Sequence, residues 1–172
     1  GTMVYAPTLD PKLARNVTSQ SGEDGLIEAI FKRIGTRNRW CFEVGAADGV
    51  DLSNTWALRA AGWSALLIEA DPVQFAKLAA YPSSDVHCVL DFIGPDSLDR
   101  HLADCGAPLD LDLGVIDIDG QDVAVWRGLT KYRPRVMLVE YNPRGSALLP
   151  GGAWQAGEAE VVALGVERGY RP

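Results

Sequence analysis

Five short apolar runs punctuate the chain: WCFEV at 40–44, SALLIEA at 64–70, VHCVL at 86–90, LGVIDI at 113–118 and RVMLVEY at 135–141. Each has the length of a buried strand. Between them the spacing changes, and segments 54–61, 73–80, 97–105 and 122–131 carry apolar residues at helical intervals. In the last, Val123, Trp126 and Leu129 recur every three residues. Ahead of the first run, SQSGEDGLIEAIFKRIG sets Leu26, Ile27, Ile30, Phe31 and Ile34 on one stripe that stops at Gly35, while Ser21 with Asp24 approximates a capping box. Residues 157–169 return to a helical pattern. Strands alternating with helices need crossover connections, so the pattern predicts an α/β fold with a doubly wound, Rossmann-like, mostly parallel sheet covered on both faces.

The margins read differently. Residues 1–18 hold Pro7 and Pro11 and show no clear period, which predicts an N-terminal arm lying on a single domain that spans 19–172. After EYNP, residues 143–156 turn rich in Gly and Pro and read as a lid or mobile connection.

Composition narrows the partners. With 172 residues, 47% of them hydrophobic and 23% charged, the chain can bury one sizeable core. A formal net charge of −7 opposes close approach to nucleic acid or to an anionic membrane, so neither is an expected partner. No run reaches the roughly 20 apolar residues of a membrane span, and the opening GTM does not read as a signal peptide. Cys41, Cys88 and Cys105 are odd in number and sit inside apolar stretches, as reduced buried thiols do, and a cytoplasmic location is expected.

Open parallel sheets bind ligands beyond the carboxyl ends of their strands, near the point where strand order reverses. Seven acids fall there: Glu43 and Asp48, Glu69 and Asp71, Asp117 and Asp119, and Glu140. The turn in CFEVGAADGV has glycines at 45 and 49, but it lacks the G-x-G-x-x-G spacing, and its two acids would repel a pyrophosphate. A phosphate-free ligand carrying an amino group and a sulfonium fits both the sign and the glycines. S-adenosylmethionine is such a ligand. Glu69 lies 24 residues beyond Gly45, close to the roughly 20 at which an acid meets ribose hydroxyls in dinucleotide folds. Asp91, after the third run, is then placed to meet the adenine. Each of these acids also has a plainer use as a helix cap.

The second cluster is VIDIDGQD with VEYNP. Asp117 and Asp119 share one strand face if both are extended, and Glu140 and Asn142 have the same spacing on the next run. Oxygen ligands converging from adjacent strand ends suit a hard cation such as Mg²⁺. Without a metal, Asp117 or Asp119 can act as general base, its pKa raised by neighbouring like charges. In the structural reading, Asp119 or Asp122 caps a helix and Glu140 pairs with Arg135 or Arg144. His87 reads as core, and His101 reads as lying on a helix away from the rim. Trp154, in the Gly-rich loop, is placed to stack on a sugar ring.

SQSGEDGLI, CFEVGAADGVDLSNT, GWSALLIEADP, LDLGVIDIDGQD and RPRVMLVEYNP together resemble the FkbM-type and related class I S-adenosylmethionine-dependent methyltransferases, in the family's order from about Ser19 to Pro143. The resemblance implies that Glu43, Gly45 and Asp48 lie around the methionine moiety and that Glu69 holds the ribose. Ala46, Gly49, Asn54 and Ala70 are expected among the cofactor-binding residues beside them, and Gln20, with Glu23, stands at the start of a helix placed to fold back over the cofactor. In the related metal-dependent O-methyltransferases, acids at the strand ends of Asp117, Asp119, Glu140 and Asn142 hold a metal that binds substrate hydroxyls. The implied reaction is O-methylation of a small molecule, sugar or glycan. Such folds finish with a sixth strand and an antiparallel seventh, and this chain reaches Pro172 where the sixth should begin. One or two strands are therefore expected to be missing, leaving a sheet edge open to a second chain. A non-catalytic cofactor- or partner-binding module and a nicotinamide-dependent reductase are the rival readings. The reductase lacks the glycine spacing and an assignable Tyr/Lys pair.

Overall fold

A computed structural model of the chain describes residues 2–3, 14–19, 22–80, 83–150 and 152–171. In chain order the elements are β1 (Thr2–Met3), α1 (Glu23–Ile34), β2 (Trp40–Val44), α2 (Trp56–Ala60), β3 (Ser64–Glu69), α3 (Pro72–Leu78) and β4 (Val86–Leu90). Then follow α4 (Leu98–Asp104), β5 (Leu113–Ile116), α5 (Asp122–Gly128), β6 (Val136–Glu140), β7 (Ala147–Leu148), β8 (Trp154–Gln155) and α6 (Glu158–Glu167). The five apolar runs are the five parallel strands, joined in the order β6-β5-β2-β3-β4. The fold is α/β, doubly wound and Rossmann-like.

Both faces of the sheet are covered, and residue parity decides which side chain meets which layer. Phe42 and Val44, Leu66 and Ile68, Ile116 and Val139 join the core built with α4, α5 and α6 through Leu98, Leu102, Val125, Trp126, Val161 and Leu164. Cys41, Ala65 and Leu67, Leu113 and Val115, and Leu138 face Ile27 and Phe31 of α1, Trp63, and Leu78 of α3. The α1 stripe is narrower than its sequence implies, since Ile27 and Phe31 are buried while Ile34 is 45% exposed. Its capping-box serine, Ser21, lies outside the described residues, as does Gln20. Asp24 turns back instead: its Oδ2 accepts the N–H groups of Val17, Thr18 and Ser19 at 2.8–3.0 Å and so fixes the segment leading into α1.

Two expectations about the margins change. The antiparallel neighbour of the last parallel strand, expected from the far end of such a fold, comes from the start of this chain: Thr2–Met3 pairs with Val139 and Glu140 of β6. The edge awaited as a docking site for a second chain is thus partly paired from within. The Gly/Pro-rich stretch is also more than a loose connection. It forms the β7–β8 hairpin, with Ala147 opposite Gln155 and Leu148 opposite Trp154, closed by Leu149 N–H to the Ala153 carbonyl at 2.7 Å.

All three cysteines are free thiols. Among the described residues, no helix is long and apolar enough to cross a membrane.

Candidate functional site

The chain runs β2, β3, β4 to one side and then crosses back to β5 and β6, so strand order reverses between β2 and β5. Val44 pairs with both Ile68 and Ile116, and Ile116 pairs with Val139. One step further along every strand, the same register aligns Gly45, Glu69, Asp117 and Glu140 in one row across the top of the sheet. Three of the four are acids.

Gly45 sits at the reversal point with φ +83°, a left-handed conformation that L side chains rarely adopt. A Cβ there would lie 1.9 Å from the Asp117 carbonyl oxygen. The close backbone approach that calls for glycine is therefore made by β5 itself. The turn's donors are engaged as well: Gly45 and Ala46 N–H go to the Ile68 carbonyl at 2.9 and 3.1 Å, and Ala47 N–H goes to Glu69 Oε2 at 2.7 Å. Gly49, φ +78°, closes the turn by donating to the Ala46 carbonyl, and its own carbonyl accepts from Arg59. Asp48 Oδ1 accepts from Val50 and Asp51 N–H at 2.9 Å each, and those bonds hold its carboxyl below the ordinary value. Asp48 shapes the loop.

Glu43 corrects its expected role beside the methionine moiety. It shares parity with Cys41 and points into the α1–α2 layer, where it is 2% exposed. Oε2 accepts from Ser53 Oγ at 2.8 Å and Thr55 Oγ1 at 2.6 Å, and Oε1 from Asn54 N–H at 2.9 Å. Burial pushes its carboxyl up against the pull of these three donors. Glu43 is the anchor of the 53–55 loop. Asn54 goes with it, 4% exposed, its Oδ1 buried with no hydrogen-bond partner. It lines a cavity of about 400 Å³ together with Val17, Ile27, Phe31 and Leu58.

Glu69 does reach the rim. Besides Ala47, its Oε1 accepts from Asp71 N–H at 2.7 Å, so one carboxylate ties the turn after β2 to the turn after β3. Each oxygen retains a second lone pair. Ala70 is exposed beside it. Asp71 is a cap, accepting from Val73 and Gln74 N–H at the start of α3. One strand further out, Asp91 N–H donates to the Glu69 carbonyl at 3.0 Å, which brings Asp91 alongside.

The second acidic cluster splits. β5 ends at Ile116, and Asp119 and Gln121 have φ +52° and +64°, so Asp117 and Asp119 do not continue one strand face. Asp119 is exposed; its backbone N–H donates to Glu140 Oε2 at 3.2 Å, and its charge adds to the upward push on Asp117 and Glu140. The partner of Asp117 is Glu140, through a side-chain hydrogen bond. Burial, and then the charge of Asp117, push Glu140 up to about 7. Burial pushes Asp117 up to about 6, with its bond to Glu140 acting in the opposite direction. Asp122, 2% exposed, accepts from Ile118 and Gly120 N–H at 3.0 and 2.9 Å and fixes the turn, and burial raises it to about 6. Asn142 Oδ1 accepts from Arg144 N–H at 3.0 Å. Among the described residues, no three His, Cys, Asp or Glu side chains gather as a metal would need. The expected Mg²⁺ set of Asp117, Asp119, Glu140 and Asn142 is not assembled: Asp119 sits exposed in the left-handed turn past the strand end, and Asn142 serves its own loop. Glu140 takes neither of its expected arginine partners. Arg135 pairs with Asp112 at 2.6 Å.

The β7–β8 hairpin docks on this turn, with Gln121 N–H donating to the Trp154 carbonyl at 2.9 Å. Trp154 is 48% exposed, and its indole N–H is held by Glu160 Oε2 at 3.2 Å.

His101 lies on α4 as expected, but not away from the rim: its Nε2 is 2.7 Å from Asp91 Oδ2 at the carboxyl end of β4. The signal was available: Leu98 and Leu102 are the buried pair of that helix, and position 101 borders the same face.

In comparison with known proteins, the chain matches no family model and no curated sequence.

Proposed function

We propose that the chain transfers a methyl group from S-adenosylmethionine to a hydroxyl of a small molecule, sugar or glycan. One observation carries the reading: the row at the reversal point presents Glu69, Asp117 and Glu140, while the N–H groups of Gly45, Ala46 and Ala47 are all engaged within the protein. A phosphorylated dinucleotide needs those N–H groups, and the acids oppose its charge. A cationic nucleoside needs acceptors and negative potential.

The residues fit the parts of that ligand. Glu69 has acceptor capacity for two ribose hydroxyls beyond the N–H groups it already holds. Asp91, next to it, is an acceptor for an amino group of the base. When bound, the cofactor supplies an electrophilic methyl group. The chain's own share of the chemistry lies with Asp117. Its carboxyl, raised to about 6, is largely ionised at neutral pH and still basic enough to take a proton from an acceptor hydroxyl. Glu140, bonded to it, shares the proton. The hairpin over the turn sets the acceptor's position, which in such transfers supplies much of the acceleration.

The test is a thermal shift with S-adenosylhomocysteine, since a ligand that binds only the folded chain raises its melting temperature. The wild-type chain is expected to shift and Glu69→Ala to lose the shift. No shift of the wild type at millimolar ligand removes the reading. A shift with NAD in its place would favour a reductase, and binding without turnover on an acceptor panel would favour a non-catalytic module.

A further inference from the structure

The Asp91–His101 contact joins the start of the loop after β4 to the middle of the helix that follows. His101 is 12% exposed at its side chain and Asp91 36%, so the imidazole approaches from the protein side and the carboxylate stands at the surface of the rim. Because a carboxylate only accepts, the imidazole Nε2 is the donor. Arg100 also approaches the same Oδ2, but at 3.7 Å and from a side chain that is 64% exposed. The backbone of Asp91 is fixed independently by its bond to the Glu69 carbonyl. Phe92, next in the chain, is 76% exposed, an aromatic ring at the same strand end.

We propose that His101 is a positioning residue that fixes the Asp91 carboxylate as the acceptor for the exocyclic amino group of a purine, making the site selective for a 6-amino over a 6-oxo nucleoside. The proposal rests on the nucleoside reading above and adds to it the group that holds the Asp91 acceptor in one direction. An aspartate at a strand end has two free side-chain torsions. A bond from a nearly buried imidazole to one oxygen fixes both and leaves the other oxygen as a directed acceptor. An amino group can donate to that oxygen. A carbonyl in its place puts two acceptors face to face, and a site built for a donor rejects such an analogue strongly.

The experiment is calorimetric titration of the full chain with S-adenosylhomocysteine and with its 6-oxo analogue, S-inosylhomocysteine. It covers the wild type, His101→Leu, His101→Gln, Asp91→Asn and the His101→Leu/Asp91→Asn double variant, each checked for folding by its melting curve. The wild type is expected to prefer the 6-amino ligand by more than tenfold. His101→Leu should lose about tenfold in affinity for that ligand, about 1.4 kcal/mol, and most of the preference with it. His101→Gln, whose side-chain amide can donate in the same place, should recover both. In the Asp91→Asn background, His101→Leu should cost nothing more, because the two act as one unit. Should His101→Leu not fold, His101→Gln against Asp91→Asn carries the comparison, the first keeping the preference and the second losing it. Unchanged selectivity in His101→Leu, or an equal loss in the Asp91→Asn background, overturns the proposal and leaves the nucleoside reading standing. A wild type that binds neither ligand overturns both.

Discussion

Asp117 and Glu140 stand opposite one another one step past the last paired residues of β5 and β6, two carboxyls joined by one hydrogen bond and both raised above their ordinary range. A raised folded-state value means that the folded chain binds more protons than the unfolded one between about pH 4 and the raised values near 6 and 7. The stability carried by the pair is therefore complete below about pH 4 and is lost as the pH rises through 6 to 7. Asp117→Asn removes the titration without changing the shape. It should melt close to the wild type at pH 4 and above it at pH 8, by on the order of 2 kcal/mol, or roughly 4–8 °C for a chain of this size. On the proposed function the same variant loses activity by about a hundredfold or more, while the wild-type rate climbs across pH 6 to 7. A melting difference that does not vary with pH would show that the pair is not proton-linked.

Gly45→Ala tests the reversal point. The new methyl group would sit 1.9 Å from the Asp117 carbonyl, at a φ of +83° that alanine tolerates poorly. The strain falls on residue 45's own backbone, and the clash falls on the backbone at the end of β5, which cannot swing aside as a flexible side chain would. A loss of about 3 kcal/mol is expected, measured by urea unfolding. Gly62→Ala is the control, with a similar φ of +89° and open space around its Cβ. It should cost about 1 kcal/mol. Equal losses in the two variants would mean that φ alone, and not the contact with Asp117, sets the requirement.

How much of this was legible in the residues depends on whether the signal was local. WCFEV coincides with β2 because a strand buried in a parallel sheet is a continuous apolar run, and VHCVL coincides with β4, a partly buried edge strand, because its β-branched and apolar residues run between turn residues that mark its ends. Thr2–Met3 and the β7–β8 hairpin were not legible as strands. Two residues carry no period, and their pairing is set by partners more than 130 residues away in one case and by docking on Gln121 in the other. The acids show the same division. That they gather at strand ends follows from their place in the sequence, but their uses diverge with side-chain direction. Glu43 has the parity of Cys41 and turns inward, Asp71 caps α3, and Glu69 crosses the rim. Asp119 left the expected set because three consecutive residues after Ile118 take positive φ, which a D-G-Q triplet permits but does not announce.

Glu43 holds three donors of one loop, and removing it leaves them buried and unpaired. Glu43→Ala is expected to cost about 3 kcal/mol and to speed amide exchange across residues 50–55. Glu43→Gln keeps one carbonyl acceptor and should lose less than half as much, since burial already works against the charged form of this side chain. Hydrogen exchange by mass spectrometry reads both. Unchanged protection of the loop in Glu43→Ala would mean that Arg59, which bonds Thr55 Oγ1 at 3.2 Å and the Gly49 carbonyl, is sufficient to hold it.

At the other end of the sheet, fully buried Asp112 accepts N–H groups from Arg37, Asn38 and Arg39 and the Arg135 guanidinium at 2.6 Å, while Arg135 also donates to the carbonyls of Ile34 and Gly35. Burial opposes ionisation here, yet the Arg135 bond and the three backbone donors hold the carboxyl below its ordinary value. The sign is opposite to that of the Asp117–Glu140 pair: this stability is present above about pH 4 and is lost as the pH falls through the lowered folded-state value. Asp112→Asn leaves Arg135 without its counter-charge, in surroundings where breaking such a pair costs about 3–5 kcal/mol. Urea unfolding should show a loss of that size at pH 7, and the gap to the wild type should narrow as both are acidified below pH 4. Asp112 lies at the amino end of β5 and the acid row at its carboxyl end, so affinity for S-adenosylhomocysteine, measured where the variant is fully folded, should match the wild type. A fall in that affinity would mean that the two ends of β5 are coupled through the strand.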